Sequence, residues 1–403
     1  MTMRVLLSTI GSRGEVQPVT GLAVALRERG ADVRIVAPPD FRELVEDLGF
    51  AMVPIGPTLR RPPGTGDWAA GMTPEKARKL TEDTVREQFA VVGEAARDRD
   101  VVVAAGSLQI AARSVAEKLG VPYIFAAYCA ISLPSPLHAP PRMPWQRPGD
   151  GIEEMWAQEA VQWNALFGPL LNRHRAELGL APVGDVREHV HTSSPWLAAD
   201  PVLGPWPEPD DEGVFTTGAW LLADERPLPG EVEAFLRAGG PPVYFGFGSM
   251  TAPPELGAAM VEAARRDGAR AIVQRGWAGL DTGAAGPDVL AVGEVNQRAL
   301  FPRVAAVVHH GGAGTTTTAA LAGVPQVVVP QRFDQFYWAA RVERLGIGVA
   351  HPPQAPDAAS LAGALAALTA VTGANARRVA RDVVTDGADI AAGRISRTVE
   401  DRI

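Results

Sequence analysis

Residues 305–325 read AAVVHHGGAGTTTTAALAGVP. An apolar run leads into two histidines and a glycine turn, and TTTTAALAG then has the composition of a helix closing on a glycine. Strand, glycine turn and helix in that order form half of a crossover unit. The first amides of such a helix have no partner inside it, and the helix dipole adds partial positive charge. The turn is therefore a seat for an anion, and glycine lets the anion approach the backbone. Threonine hydroxyls and a strand-end imidazole are expected to add donors. The stretch matches neither G-x-x-x-x-G-K-[ST] nor G-x-G-x-x-G, which speaks against a nucleoside triphosphatase and a dehydrogenase. A diphosphate cradle is the expectation; the plain alternative is a tight turn capped by threonine.

The same rhythm extends in both directions. Upstream lie the strand-like PPVYFGFGSM, the helical PPELGAAMVEAARRDG, RAIVQ and VLAVGE; downstream come PQVVVPQ and the helical DQFYWAARVERLG. The N-terminal half repeats it with RVLLST, a glycine loop, a helix over 16–29, DVRIVA, DVVVAAG and VPYIFAA. Apolar strands alternating with helices of ten or more residues mean parallel sheets. A chain of 403 residues exceeds one core, which stops growing near roughly 250–300 residues. The expected class is α/β, with two Rossmann-like parallel-sheet domains facing across a cleft. The expected divisions are 1–200, a Pro- and acid-rich linker at 201–219, 220–385, and a final helix over 386–403 that returns to the first domain.

Composition narrows the partners. Apolar residues make up 46% and charged residues 21%, with a net charge of -8, so a dense basic surface for nucleic acid is missing. No run approaches the 18 apolar residues of a membrane span, the opening MTMRVLLSTIG is too short for a secretory signal, and the expected location is the cytoplasm. The single cysteine, Cys129, reads as buried filler rather than a nucleophile. Asp98 and Asp100 in DRD precede a strand and read as turn residues, not metal ligands, and the histidines at 138, 174, 189, 191 and 351 have no metal spacing. His138 alone, inside a proline-rich loop, stays open as a substitute base or acceptor contact.

Two long Pro/Gly-rich loops, 56–73 and 132–151, stand beside strand ends, where binding sites are commonly built. Behind the second, Trp156, Trp163 and Phe167 share a helix face that either packs into the core or walls an apolar acceptor pocket.

GSRGEVQP near the N-terminus, AVVHHGGAGTT and VPQRFDQFYWAARVERLGIG together resemble the nucleotide-sugar-dependent natural-product glycosyltransferases of the GT-B fold. SVAEKLGVPY, PWLAADPVL, TTGAWLLADERPL and PPVYFGFGS make the vancomycin-group glycopeptide glycosyltransferases the most similar subgroup. The resemblance covers nearly the whole chain and is weakest in the acceptor loops. It implies an inverting transfer of a sugar from a TDP- or UDP-sugar to a hydroxyl of a bulky aglycone, with no metal or other cofactor. It further implies that His310, Gly312, Ala313, Gly314, Thr315 and Ser249 hold the diphosphate. Asp334 and Gln335 then hold the sugar, and Val295 and Gln297 lie beside the nucleobase.

Trp277 either flanks the base or simply packs, and Ser12 and Arg13 either approach phosphate and acceptor or only shape their loop. Glu15 stands where relatives often carry aspartate and is the expected general base; the modest alternative is an acid that favours a helix N-terminus. A macrolide or aromatic polyketide acceptor, and a catalytically silent nucleotide-sugar-binding protein, are the rival readings.

Overall fold

The computed structural model describes residues 2–402 except 61–71, 142, 144, 145, 148, 209, 251, 254, 284, 285, 353 and 354. Much of the loop 56–73 and part of 132–151 thus lie outside the described residues.

Two parallel sheets organise the chain. The first contains β1 (Arg4–Thr9), β2 (Asp32–Ala37), β3 (Ala51–Pro54), β4 (Val101–Ala105), β5 (Tyr123–Ala127), β6 (Trp196–Leu197) and β7 (Phe215–Thr216), in the order β3-β2-β1-β4-β5-β6-β7. The second contains β8 (Val243–Gly246), β9 (Ala271–Gln274), β10 (Val289–Val292), β11 (Ala306–His309), β12 (Gln326–Val328) and β13 (Gly348–Ala350), in the order β10-β9-β8-β11-β12-β13. Central strands are covered on both faces: Val101, Val103 and Ala105 join one apolar cluster while Val102 and Ala104 join another. This is why they read as unbroken apolar runs rather than alternating ones.

The sequence reading of 201–219 as a plain linker needs correction. Phe215 and Thr216 pair in parallel with Trp196 and Leu197, so the first sheet continues into that segment. A strand of two residues is too short to leave a periodic trace. After Thr217 the chain crosses to the second sheet, and a second crossing precedes the last helix, Gly387–Glu400. That helix buries Ala388, Ala391, Ala392, Ile395 and Val399 in the cluster that holds Val19, Leu22 and Leu26 of the N-terminal helix Arg13–Glu28.

The two crossings touch at glycine. A Cβ on Gly387 would lie 2.4 Å from the carbonyl carbon of Gly218, whose φ is +87°. Elsewhere the halves are joined by Trp338 of the helix Gln335–Arg344, which packs on Gly204, and by Arg341, which donates to the carbonyls of Leu203 and Val202 at 2.7 and 2.8 Å.

In each sheet the strand order reverses direction once at its centre, between β1 and β4 and between β8 and β11. Crevices open at the carboxyl ends of strands at such reversals. The base loop, the glycine turn, Ser249 and Asp334–Gln335 follow these four strands or their neighbours, and Val295 and Gln297 follow the edge strand β10.

Candidate active site

At the β8/β11 reversal, the paired strand ends are Gly246 and His309. His309 is fully buried and satisfied: its Nε2 lies 2.9 Å from Gln326 Oε1, and its Nδ1 accepts the Gly311 amide at 3.1 Å. Burial pulls its imidazole down to about 3, so it is neutral and shapes the turn. The His310 ring lies between Gly248 and Gly312, where a Cβ on either glycine would crowd it at 3.4 and 2.7 Å. Burial brings this imidazole down to about 4, and its Nδ1 is buried with no hydrogen-bond partner among the described residues.

The helix Ala313–Leu321 starts directly after Gly312, which puts the amides of Ala313, Gly314 and Thr315 in its first turn. Three of the four threonines do not serve as ligand donors, contrary to expectation. Thr316, Thr317 and Thr318 return their hydroxyls to the carbonyls of Gly312, Ala313 and Gly314 at 2.9, 2.9 and 2.8 Å. A buried β-branched residue in a helix meets its hydroxyl's demand most readily this way. Among the described residues no partner takes the hydroxyl of Thr315 or of Ser249 beyond Gly248.

Across the cleft, at the β1/β4 reversal, Ser12 caps the helix Arg13–Glu28 and donates its hydroxyl to Glu15 Oε2 at 2.9 Å. The Glu15 side chain fits because two glycines make room. A Cβ on Gly11 would stand 2.7 Å from the Glu15 carboxyl carbon, and one on Gly106, just past β4, 3.2 Å from its Cγ. Burial pushes the Glu15 carboxyl up to about 7; the Ser12 hydroxyl opposes that shift and the charge of Asp334 adds to it. Tyr128, following β5, donates its hydroxyl to the Glu15 backbone carbonyl at 3.0 Å.

Asp334 approaches from the second domain. Its carboxyl is raised by burial and accepts Trp338 Nε1–H at 3.0 Å. Phe333 before it adopts φ +53°, a left-handed conformation that a bulky residue rarely takes, and its ring is exposed. Gln335 is less available than expected. Its Oε1 is taken by the amides of Gln331 and Arg332, and its Nε2 faces Met250 Sδ.

Val295 is buried, and Gln297 donates to the Tyr244 hydroxyl at 3.3 Å, which in turn donates to Gln274. Trp277 stacks on Phe41 of the first domain, with centroids 5.9 Å apart and planes at 24°, so packing describes it here. Arg13 reaches across the cleft to Glu294.

Of the open alternatives, Trp156 and Phe167 are buried in the core, with Trp163 packed edge-on against Phe167. Cys129 is buried. Asp98 is paired with Arg99 and Arg34, and Asp100 with Arg4. His138 packs edge-on between Trp156 and Trp206. Sequence reasoning missed Gly106, Tyr128 and Glu294; none carries a local signal, because each acts on a residue far away in the chain.

Two facing parallel-sheet domains, an amide-lined turn on one and a perturbed carboxyl on the other, define a two-domain glycosyl-transferring enzyme. Family models agree: residues 5–131 match the glycosyltransferase family 28 N-terminal domain, and residues 258–391 match the erythromycin biosynthesis protein CIII-like C-terminal domain. Glycosyltransferase GtfE of Amycolatopsis orientalis is 48% identical over 396 residues, spanning 97% of this chain and 96% of its own length. The vancomycin aglycone glucosyltransferase of that organism is 47% identical over 395 residues, with the same 97% and 96% coverage. Its dTDP-epi-vancosaminyltransferase is 43% identical over 371 residues, covering 90% and 89%.

The chain belongs to this family of GT-B glycosyltransferases and is an enzyme of that class. Among solved structures, the kitacinnamycin glycosyltransferase superposes with a TM-score of 0.74 at 22% identity, over 98% of this chain and 99% of that one. VinC, solved with dTDP, gives 0.68 at 22% over 99% and 100%. These two likenesses establish the fold.

Proposed function

We propose that this enzyme moves a sugar, with inversion, from a TDP- or UDP-sugar to a hydroxyl of a glycopeptide-type aglycone. The names of the relatives above support that acceptor class. The observation that carries the mechanism is the pairing, across the cleft, of a carboxyl raised to about 7 with an imidazole–amide turn. The acceptor oxygen attacks the anomeric carbon as its proton passes to Glu15. The bond from that carbon to the diphosphate oxygen breaks, and the departing diphosphate keeps the electron pair.

A base with a pKa near the working pH combines availability with driving force. The amides of Ala313, Gly314 and Thr315, with His310 and the Ser249 hydroxyl, meet the negative charge on the leaving group. Fixed dipoles in a cleft need no reorganisation when the charge arrives. No metal is required in this scheme. Asp334 is assigned to donor-sugar hydroxyl or amino groups, with Gln335 contributing through Nε2. Val295 and Gln297 are assigned to the nucleobase side. Cytoplasmic action accords with the use of nucleotide sugars, and no single helix among the described residues is long and apolar enough to cross a membrane.

The test is a crossed panel of TDP- and UDP-sugars against glycopeptide, macrolide and aromatic polyketide aglycones, read by mass spectrometry. Mass gain of one sugar on a glycopeptide aglycone is expected. Transfer confined to macrolide or polyketide aglycones would overturn the acceptor assignment, and absence of turnover with every pair would overturn the mechanism.

A further inference from the structure

Arg13 is the first residue of the helix that carries Glu15, and its guanidinium meets a carboxylate of the second domain. Its Nη1 meets Glu294 Oε1 of the second domain at 2.5 Å, while its Nε donates to Gln17 Oε1 at 3.0 Å, which fixes the side chain's direction. Glu294 immediately precedes Val295, in the loop that follows β10. That loop is itself anchored: Asn296 caps the next helical turn and donates Nδ2 to the carbonyls of Asp224 and Arg226, both at 2.8 Å. Asp224 and Arg226 form their own ion pair in the segment where the chain crosses between domains. The loops after the neighbouring strands β2 and β9 also meet, through the Phe41–Trp277 stack. Two adjacent strand ends of one sheet therefore dock on two adjacent strand ends of the other.

We propose that Arg13 and Glu294 are a positioning pair, backed by Phe41 and Trp277, that locks the base-bearing helix to the loop beside the nucleobase. Closure over a bound nucleotide and placement of Glu15 then become one event. This rests on the assignment of Glu15 as base and of the 294–297 loop to the nucleobase. The pair carries no chemistry itself. Arg13 lies two residues before Glu15 in the first turn of a 16-residue helix, so displacing one end of that turn displaces the other.

The experiment is a charge-reversal cycle: Arg13→Glu, Glu294→Arg, the double reversal, and Glu294→Gln, with donor KM, kcat and nucleoside diphosphate affinity measured at low and high salt. The side chains are 31% and 58% exposed, so folding is expected to survive, which a melting curve checks. Each single reversal should raise donor KM and lower kcat/KM about two- to fivefold, the scale of an exposed ion pair. The double reversal should recover most of the loss, and the differences should shrink as salt rises from about 0.05 to 0.5 M. A double reversal no better than the worse single, or Glu294→Gln equal to wild type at low salt, would overturn the proposal. Glu15→Gln in the same assay separates the two ideas. If it leaves kcat intact the base assignment fails, while nucleotide affinity across the cycle still reads the latch.

Discussion

Replacing Glu15 with glutamine keeps the shape that Gly11 and Gly106 accommodate and removes only the ability to take a proton. Loss of a positioned general base costs about 10²–10⁴-fold in rate, or roughly 3–5 kcal/mol of barrier. The expected result is a fall of that size in kcat with nucleoside diphosphate affinity unchanged. The wild-type profile of kcat/KM should rise with pH through about 7, because the base acts only when deprotonated, and this limb should vanish in the variant.

Stability gives an independent readout of the same shift. The fold holds the Glu15 proton up to about 7, whereas an unfolded chain releases it near 4.5, so stability from this group is lost as pH rises between those values. The difference is worth at most about 3 kcal/mol, and less in proportion to the carboxyl's access to water. Glutamine is spared this loss, so its melting temperature relative to wild type should climb from pH 4.5 to 7 and then level off. Stopped-assay rates from pH 5 to 9, paired with calorimetric melts, measure both. A variant with near-normal kcat, or a wild-type rate flat from pH 5 to 8, would refute the reasoning.

Glu15→Asp should retain the charge but withdraw it by about one bond, for a loss near 10²-fold that single-turnover rates would detect. Asp334→Asn removes a charge that raises Glu15, so the acid limb of the kcat/KM profile should move to lower pH, as a pH titration of the variant would show. His310→Ala should lower kcat on the order of 10²-fold by removing a donor to the leaving group, with acceptor KM little changed in steady-state kinetics. Gly387→Ala forces a Cβ within 2.4 Å of the Gly218 backbone where the crossings touch. It should cost about 1–3 kcal/mol and lower the melting temperature even with no ligand present.

Features written in local sequence were legible before any coordinates. Continuous apolar runs such as VVVAA announced strands buried on both faces, and glycines after β1, β8 and β11 marked where the chain turns toward the cleft. Groups whose role depends on the placement of distant segments were not. Thr316–Thr318 look like ligand donors until the helix supplies its own acceptors one turn back. Gln335 and Gln297 look free until the loop amides and the Tyr244 hydroxyl claim them. Arg13 carries no sign in its own stretch of sequence that its partner is Glu294 of the second domain. Side-chain amides and guanidinium groups take whichever partner the tertiary structure offers, and spacing along the chain does not encode that choice.

Glu15 sits on a helix that ties the two domains together. Gly21, midway along the helix Arg13–Glu28, lies against the backbone of Leu221 and Leu222, where a Cβ would stand 3.0 Å from the Leu221 carbonyl carbon and the Leu222 nitrogen. Its apolar face is shared with the returning C-terminal helix. Both chain crossings therefore bear on the same helix, and they touch each other at Gly218 and Gly387. Glu15 lies in the first turn of that helix, so the crossings hold the helix along its length while Arg13 ties its start to Glu294 of the second domain.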